Sequence, residues 1–207
     1  MRFFKKKYDG SYFNTFLDFD FYKIRDARQK VNLLLSLKKS GRLLEIGCGR
    51  GELLKRLKNS FDVEGIDISR LAIDSASNSI SRNRLSVLNI ENKDIKGKYD
   101  IIIAFDLLEH LRNPIKIIDK IKRALNKGGI FIFSVPNKYG LYGSIMTSMF
   151  NFIDRTHVST YGRKRWIEIM KGKGFRIDIR NQGLFCIIKN DLAKHISYNL
   201  LVIAKNS

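Results

Sequence analysis

Between Leu43 and Leu54 the chain reads Leu43-Leu44-Glu45-Ile46-Gly47-Cys48-Gly49-Arg50-Gly51-Glu52-Leu53-Leu54. A short apolar run meets a carboxylate, then glycines at alternate positions, then a helix start. Glycine lets the main chain turn tightly and lets a ligand approach it without a Cβ in the way. That chemistry serves nucleotide-type ligands at the carboxyl edge of an open α/β sheet. The dinucleotide spacing G-x-G-x-x-G would put its third glycine where Glu52 stands. A carboxylate in the first helical turn suits the positive helix end but repels a pyrophosphate. The loop is therefore poorly built for an anion. Farther on, Asp62-Val63-Glu64-Gly65-Ile66-Asp67-Ile68-Ser69 reads as a second strand ending in a carboxylate. Asp67 lies 20 residues beyond Gly47, the distance at which a second strand delivers an acid to a ribose. A carboxylate accepts from both hydroxyls of a 2′,3′-diol. The structural alternative is that Asp67 caps the following helix, although Ser69 is the better cap.

The spacing E-x-G-x-G-x-G from Glu45 to Gly51 resembles the first motif of the class I S-adenosylmethionine (SAM)-dependent methyltransferases. Their cofactor has no phosphate and carries a cationic sulfonium, which an acidic site suits. The resemblance implies that Glu45 orients the loop or the methionine amine. It implies backbone contacts from Gly47, Cys48, Gly49 and Gly51, a ribose clamp at Asp67, and an adenine sandwich between Ile68 and Ile90. S-Adenosylhomocysteine (SAH) would be the product. At Asn89 the family usually places an acid that accepts from the adenine amino group. Asparagine accepts without the charge, Glu91 is an alternative partner, and a turn at Asn89 is the structural reading.

A second match runs from Tyr99 to Pro114, through Phe105-Asp106-Leu107-Leu108-Glu109-His110. It resembles the fourth strand and following loop of small-molecule methyltransferases related to ubiquinone biosynthesis. There, backbone near Phe105 and Asp106 lines the methyl-donor pocket, and Asp106 is a catalytic candidate as well. His110 reads as structural ahead of a base in the cleft. The Asn/Asp-Pro-Pro-aromatic loop of amino-methylating DNA enzymes is absent, and neither Cys48 nor Cys186 follows a proline, so base methylation by those routes is disfavoured. Ala124 to Asn137 resembles the family's helix-to-fifth-strand junction. Asp154-Arg155-Thr156-His157-Val158-Ser159-Thr160-Tyr161, with Gly174-Phe175 beyond it, resembles the ending of type 11 and type 12 methyltransferases. His157 is the candidate base for an acceptor hydroxyl; a hydrogen bond to Asp154 is its structural alternative. The uncharged run Tyr139 to Phe152 suits either a lid over an apolar or lipid-linked acceptor, or core packing or a dimer surface.

These residues need a scaffold that brings strand ends together. Asp26 to Lys38 carries an apolar stripe at Ala27, Val31, Leu34, Leu35 and Leu37, which predicts a helix. From Arg42 the pattern alternates: strand 42–48, helix 51–59, strand 62–68, helix 70–79, strands 85–90 and 100–105, helix 114–126, strand 129–135. Pro114 fits a first helical turn and Gly128-Gly129 a stop. This is the rhythm of a doubly wound parallel sheet. The tail departs from it: helix 163–172, an alternating strand 175–180, then an apolar strand 198–204. Strands joined without a helix pair antiparallel. The fold class is therefore α/β, Rossmann-like and seven-stranded, and the resemblance implies the order 3-2-1-4-5-7-6 with the last pair antiparallel. Residues 1–40 read as an aromatic and helical cap of one domain whose SAM-binding part spans 41–207.

The chain has 207 residues, two cysteines and a formal net charge of +19. The length suffices for one full core, and no apolar run reaches the ~18 residues of a spanning helix. Nothing at the amino end reads as a signal peptide, and two cysteines make no disulfide framework. The expectation is a cytoplasmic protein, with peripheral membrane contact left open. Lys- and Ile-rich composition accounts for much of the charge. An anionic membrane or substrate ranks next, and nucleic acid last, for no aromatic-plus-basic RNA module is present. The reading is SAM-dependent methylation of a small-molecule, lipid-linked or glycan acceptor, at oxygen or nitrogen ahead of carbon, with no metal. The alternatives are a non-catalytic SAM- or nucleotide-binding protein on an anionic surface, an RNA methyltransferase, and an NAD-dependent oxidoreductase, which Glu52 disfavours.

Overall fold

The structure is a computed structural model that describes residues 20–137, 158–159, 161–182, 187–188 and 199–207. The aromatic segment before residue 20, the run Tyr139 to Phe152, His157 and Cys186 lie outside the described residues. Among the described residues the strands form one sheet in the order β3-β2-β1-β4-β5-β8-β6-β7. Strand β8 takes the place of the expected seventh strand, so the order 3-2-1-4-5-7-6 holds, with the two-residue β7 added beyond β6. The chain divides into two compact units, Met1–Asn89 and Ile90–Ser207.

In the first unit, α1 (Asp20–Leu37) precedes β1 (Arg42–Ile46), α2 (Glu52–Leu57), β2 (Asp62–Asp67), α3 (Arg70–Ala76) and β3 (Leu85–Val87). The three strands pair in parallel, with Glu45 opposite Gly65 and Asp67 opposite Val87. Leu34, Leu43, Leu44, Leu54, Leu57 and Ile73 are essentially fully buried, and each such side chain contributes about 1.5–3 kcal/mol. Ser69 caps α3 by accepting from the Ala72 amide at 3.3 Å, as its residue type dictates. At the amino ends of β1 and β2, Arg42 and Arg84 form exposed ion pairs with Asp62 and Glu64. Exposed pairs of this kind are worth at most about 1 kcal/mol each.

In the second unit, β4 (Tyr99–Ala104), α4 (Pro114–Ala124) and β5 (Leu125–Pro136) are followed by α5 (Arg163–Gly172), β6 (Phe175–Gln182), β7 (Ile187–Ile188) and β8 (Asn199–Asn206). Asn113 caps α4 by accepting from the Lys116 amide, with Pro114 in the first turn. Ile117, Ile118, Ile121 and Ala124 supply its buried stripe. Strands β4 and β5 are parallel, and β8 runs antiparallel to both β5 and β6. Phe131 and Phe133 are fully buried, and the Phe133 ring packs 5.2 Å from that of Trp166 on α5.

Most element ends shift by one to three residues from the expected bounds, and two boundaries move for an identifiable reason. Strand β5 starts at Leu125 rather than at Gly129, and the β4–β5 register shifts between Tyr99 and Ile101. A Cβ on Gly129 would stand 2.9 Å from the Asn126 carbonyl oxygen and 3.2 Å from that of Tyr99. Gly129 thus serves a close backbone approach and Gly128 a left-handed turn with φ of 73°, both inside an irregular strand start rather than at a helix stop. Strand β3 ends at Val87 rather than at residue 90; beyond it the Leu88 amide donates to the Asp67 carbonyl, and the Ile90 carbonyl accepts from the Lys120 side chain.

Candidate functional site

The Gly47–Gly51 loop is built from three left-handed glycines, with φ of 76° at Gly47, 52° at Gly49 and 76° at Gly51. Its amides are consumed internally. Gly47 and Cys48 both donate to the Ile66 carbonyl, Gly51 donates to the Cys48 carbonyl, and Gly49 donates to Asp67 Oδ2 at 2.9 Å. The glycines differ in what surrounds them. A Cβ on Gly51 would stand 3.1 Å from that of Ala76, whereas one on Gly49 would meet nothing within 4 Å. Gly51 is therefore small for packing, and Gly49 leaves an open face of backbone. Cys48 points inward beside Gly65, where an added Cβ would sit 2.8 Å from the sulfur. Burial pushes its thiol far above the usual range, so it is an inert core thiol.

Asp67 ends β2. Its Oδ2 accepts from Gly49 and its Oδ1 accepts from the Ser69 amide at 2.8 Å. It ties the glycine loop to the start of α3, while the side-chain cap itself belongs to Ser69. Burial raises its pKa, opposed by these backbone amides. Glu45, on β1, is 7% exposed, and its Oε2 has no hydrogen-bond partner among the described residues. Its pKa is pushed up to about 8, first by desolvation; the Lys30 charge opposes this and Asp67 adds to it. Lys30 lies on α1, buried and paired with Asp26 at 2.7 Å. Ile68 follows Asp67 and is 38% exposed, an apolar side chain presented at the end of β2. Asn89 is half-buried at the close of this unit.

In the second unit Ile90 is buried at 5% exposure. Glu91 Oε1 accepts from the Arg112 amide at 2.8 Å, which employs that carboxylate in closing a loop. Phe105 and Asp106 follow the last residue of β4. Asp106 has φ of 50°, the one non-glycine in the left-handed region among the described residues. Its amide donates to Ser134 Oγ at 3.0 Å, the same hydroxyl donates to Asp106 Oδ1 at 2.8 Å, and Asn199 Nδ2 donates to Oδ1 at 2.8 Å. His110 ends a short 3-10 turn, Leu108–His110.

A family described as "Methyltransferase domain" matches residues 16–178. The chain belongs to that family. A ubiquinone biosynthesis O-methyltransferase of Coxiella burnetii is 33% identical over 123 residues, covering 56% of this chain and 50% of the relative. The chain thus spans about half the length of the curated relatives it matches. Among solved structures, a SAM-dependent methyltransferase of Thermotoga maritima, described as a possible histamine N-methyltransferase, superposes with a TM-score of 0.73 at 14% identity over 90% of this chain and 92% of its own. The magnesium protoporphyrin IX methyltransferase of Synechocystis, bound to SAH, gives 0.71 at 17% over 100% and 99%. These likenesses establish the fold.

For a methyltransferase domain, the motif residues fall into two local clusters. Glu45, Gly47, Cys48, Gly49, Gly51 and Asp67 are gathered at the β1 and β2 ends of the first unit. Phe105 and Asp106 stand at the β4 end in the second. The sequence reading missed Lys30, Ser134 and Asn199. Ser134 was legible only as one residue of an apolar strand, and Asn199 only as the start of another. No helix among the described residues is long and apolar enough to cross a membrane, and no group of metal-ligating side chains occurs among them.

Proposed function

We propose that this methyltransferase domain transfers the methyl group of SAM to a small-molecule acceptor, at oxygen or nitrogen. One observation carries the reading. The glycine loop spends the amides of residues 47 and 48 on the Ile66 carbonyl of β2, that of 49 on Asp67 and that of 51 on its own Cys48 carbonyl, while a buried carboxyl oxygen of Glu45 has no hydrogen-bond partner among the described residues. A phosphate-binding loop keeps its amides for the ligand. A loop whose amides at 47, 48, 49 and 51 are already engaged, beside a buried Glu45 carboxyl that a bound cation would ionise, suits a cationic, phosphate-free nucleoside. The residues fit SAM on that ground, and the open face at Gly49 leaves room for close approach to the backbone.

In this reading Asp67 binds the ribose hydroxyls, since each of its oxygens accepts one backbone amide and retains a further lone pair. Glu45 orients the amino-acid end. Ile68 packs against the adenine, with Asn89 at its edge. SAM supplies a methyl group already activated by the sulfonium. The protein's tasks are alignment of the nucleophile and removal of its proton. His157 is the proposed base, on the resemblance of its motif. Phenolic, lipid-linked and glycan hydroxyls and amines are the proposed acceptors; the O-methyltransferase relative supports the hydroxyls.

Calorimetric titration tests the cofactor. SAH should bind and NAD should not, and Asp67→Ala should weaken SAH by about tenfold or more, given the worth of a charge-assisted bond. Binding of NAD in place of SAH would overturn the reading. Given an acceptor found with radiolabelled SAM, His157→Ala should slow transfer and flatten its pH dependence; a wild-type rate would remove the base assignment.

A further inference from the structure

One edge of the second unit gathers more cations than its acids neutralise. Strands β4 and β5 start there and β8 ends there, with Tyr99 opposite Leu125 and Ile130 opposite Lys205. A chain of contacts makes the edge one surface. Lys98 Nζ donates to the Arg123 carbonyl at 2.6 Å. Lys122, beside it on α4, donates to the Lys173 carbonyl and lies 5.5 Å from the centre of the Phe175 ring. Ser207 donates to the Gly174 carbonyl, and Asn206 to that of Asn126. The nearby acids are already engaged: Asp119 by Lys173, Asp94 by Lys120 and Arg123, Asp178 by Arg180, and Asp100 by the Asn126 carboxamide. Lys127, Lys171, Arg176 and Lys205 are exposed and form no ion pair among the described residues. Arg176 and Lys205 also stand directly opposite each other in the β6–β8 ladder, a like-charge pairing that destabilises a sheet. Helix dipoles account for Lys122, Arg123 and Lys171 in the last turns of α4 and α5. They do not account for Lys127, Arg176 and Lys205, which lie on strands.

We propose that this edge is an electrostatic docking surface for an anionic lipid membrane. The other side chains described there select that partner. Its rings, Tyr99 and Phe175, are 3% and 4% exposed, so among the described residues it presents no base-stacking platform. Val158, the exposed large apolar side chain described in this unit, is held by the Glu109 carbonyl beyond the other end of β4. The described edge therefore carries no apolar anchor of the kind on which a protein interface is centred. What it presents is charge on flexible stems, chiefly lysine. That suits a fluid layer of headgroups, where each cation near the surface strengthens binding by about fivefold without a fixed geometry. Phe105 and Asp106 follow the far end of β4, so docking leaves that end toward water. The proposal is independent of the cofactor assignment.

Vesicle co-sedimentation of the full chain tests it. The chain should pellet with phosphatidylcholine vesicles containing about 30% phosphatidylglycerol at about 0.1 M NaCl, stay in solution with phosphatidylcholine alone, and be released at about 0.5 M NaCl. Arg176→Gln with Lys205→Gln should weaken binding by about tenfold or more. Lys116→Gln with Lys164→Gln removes the same charge from exposed positions in the first turns of α4 and α5, at the other end of those helices. That pair should weaken binding by less than about threefold, because screening confines the effect to nearby charges. Removing the opposed cations relieves repulsion, so the melting temperature of the first double variant should hold or rise. Lys127→Gln with Lys171→Gln, a second pair from the same edge outside that cross-strand contact, should weaken binding comparably. No binding to the anionic vesicles, or equal weakening by the edge pairs and the first-turn pair, overturns the proposal. Capture of a single-stranded RNA that the edge pairs abolish, with vesicles left unbound, overturns it in favour of nucleic acid.

Discussion

Glu45 illustrates how one buried atom sets a measurable property. Its carboxyl has a pKa near 8 in the folded chain against an ordinary 4.5. The folded state therefore binds a proton that the unfolded state has already released across that interval. Stability is highest below about pH 4.5 for this group and falls as pH rises toward 8. Urea unfolding of the unliganded chain at pH 5.5 and 8 should show wild type losing about 2–4 kcal/mol more than Glu45→Gln over that range. Parallel losses in the two proteins would mean that Glu45 is not the group responsible. The same residue scale explains Asp67, whose two oxygens hold the loop and the helix start simultaneously. Its replacement therefore affects local order as well as ribose binding.

At the scale of elements, the glycine loop, α2 and β2 are interlocked by size. A Cβ on Gly65 would stand 2.7 Å from a Leu54 methyl, 2.8 Å from the Cys48 sulfur and 3.0 Å from a Leu85 methyl. Gly65→Ala should lower stability by about 1–3 kcal/mol, the usual range for overpacking, with the melting temperature as the readout. Cys48→Ala in the same chain should recover part of that loss by vacating space; no recovery would place the clash on the leucines alone. The carbonyls of the segment after Asn89 converge on Lys120, and Arg123 also pairs with Asp94. Lys120 Nζ donates to the carbonyls of Ile90, Glu91 and Lys93 and pairs with Asp94. Lys120→Met keeps the aliphatic stem and leaves those carbonyls without the ammonium. It should cost about 1–3 kcal/mol and speed amide exchange in residues 90–94, and unchanged exchange there would refute the pinning role.

Over the whole chain the dominant physical fact is a formal net charge of +19. Excess like charge destabilises a compact state through self-repulsion, which salt screens within about 10 Å at 0.1 M. Raising NaCl from 0.05 to 0.5 M should therefore raise the melting temperature by a few degrees, on the order of 1 kcal/mol of relief. A fall would mean that the exposed ion pairs around Arg42 and Arg84 outweigh the repulsion. SAH at a hundred times its dissociation constant should add about 2.7 kcal/mol by mass action, visible as a thermal shift that NAD does not produce.

Much of this protein was legible in one dimension because its signals are local. The alternation of apolar runs with helical stripes, the antiparallel ending, the Glu45 to Gly51 spacing and the carboxylate at position 67 all follow from short-range pattern, and strand order follows from the family resemblance. Loop and strand-end chemistry was legible only as residue type. That Glu45 keeps an unpartnered oxygen, that the loop amides are already used, and that Glu91 closes a loop all depend on which groups meet after folding. Most distant from sequence is the hold on Asp106. Ser134 and Asn199 lie 28 and 93 positions away from it, in strands whose continuous apolar runs specify burial but not partners. Only the pairing of β5 with β8 brings a hydroxyl and a carboxamide to one carboxylate, because a hydrogen bond is decided by distance and direction in space, and neither is written in the order of residues along the chain.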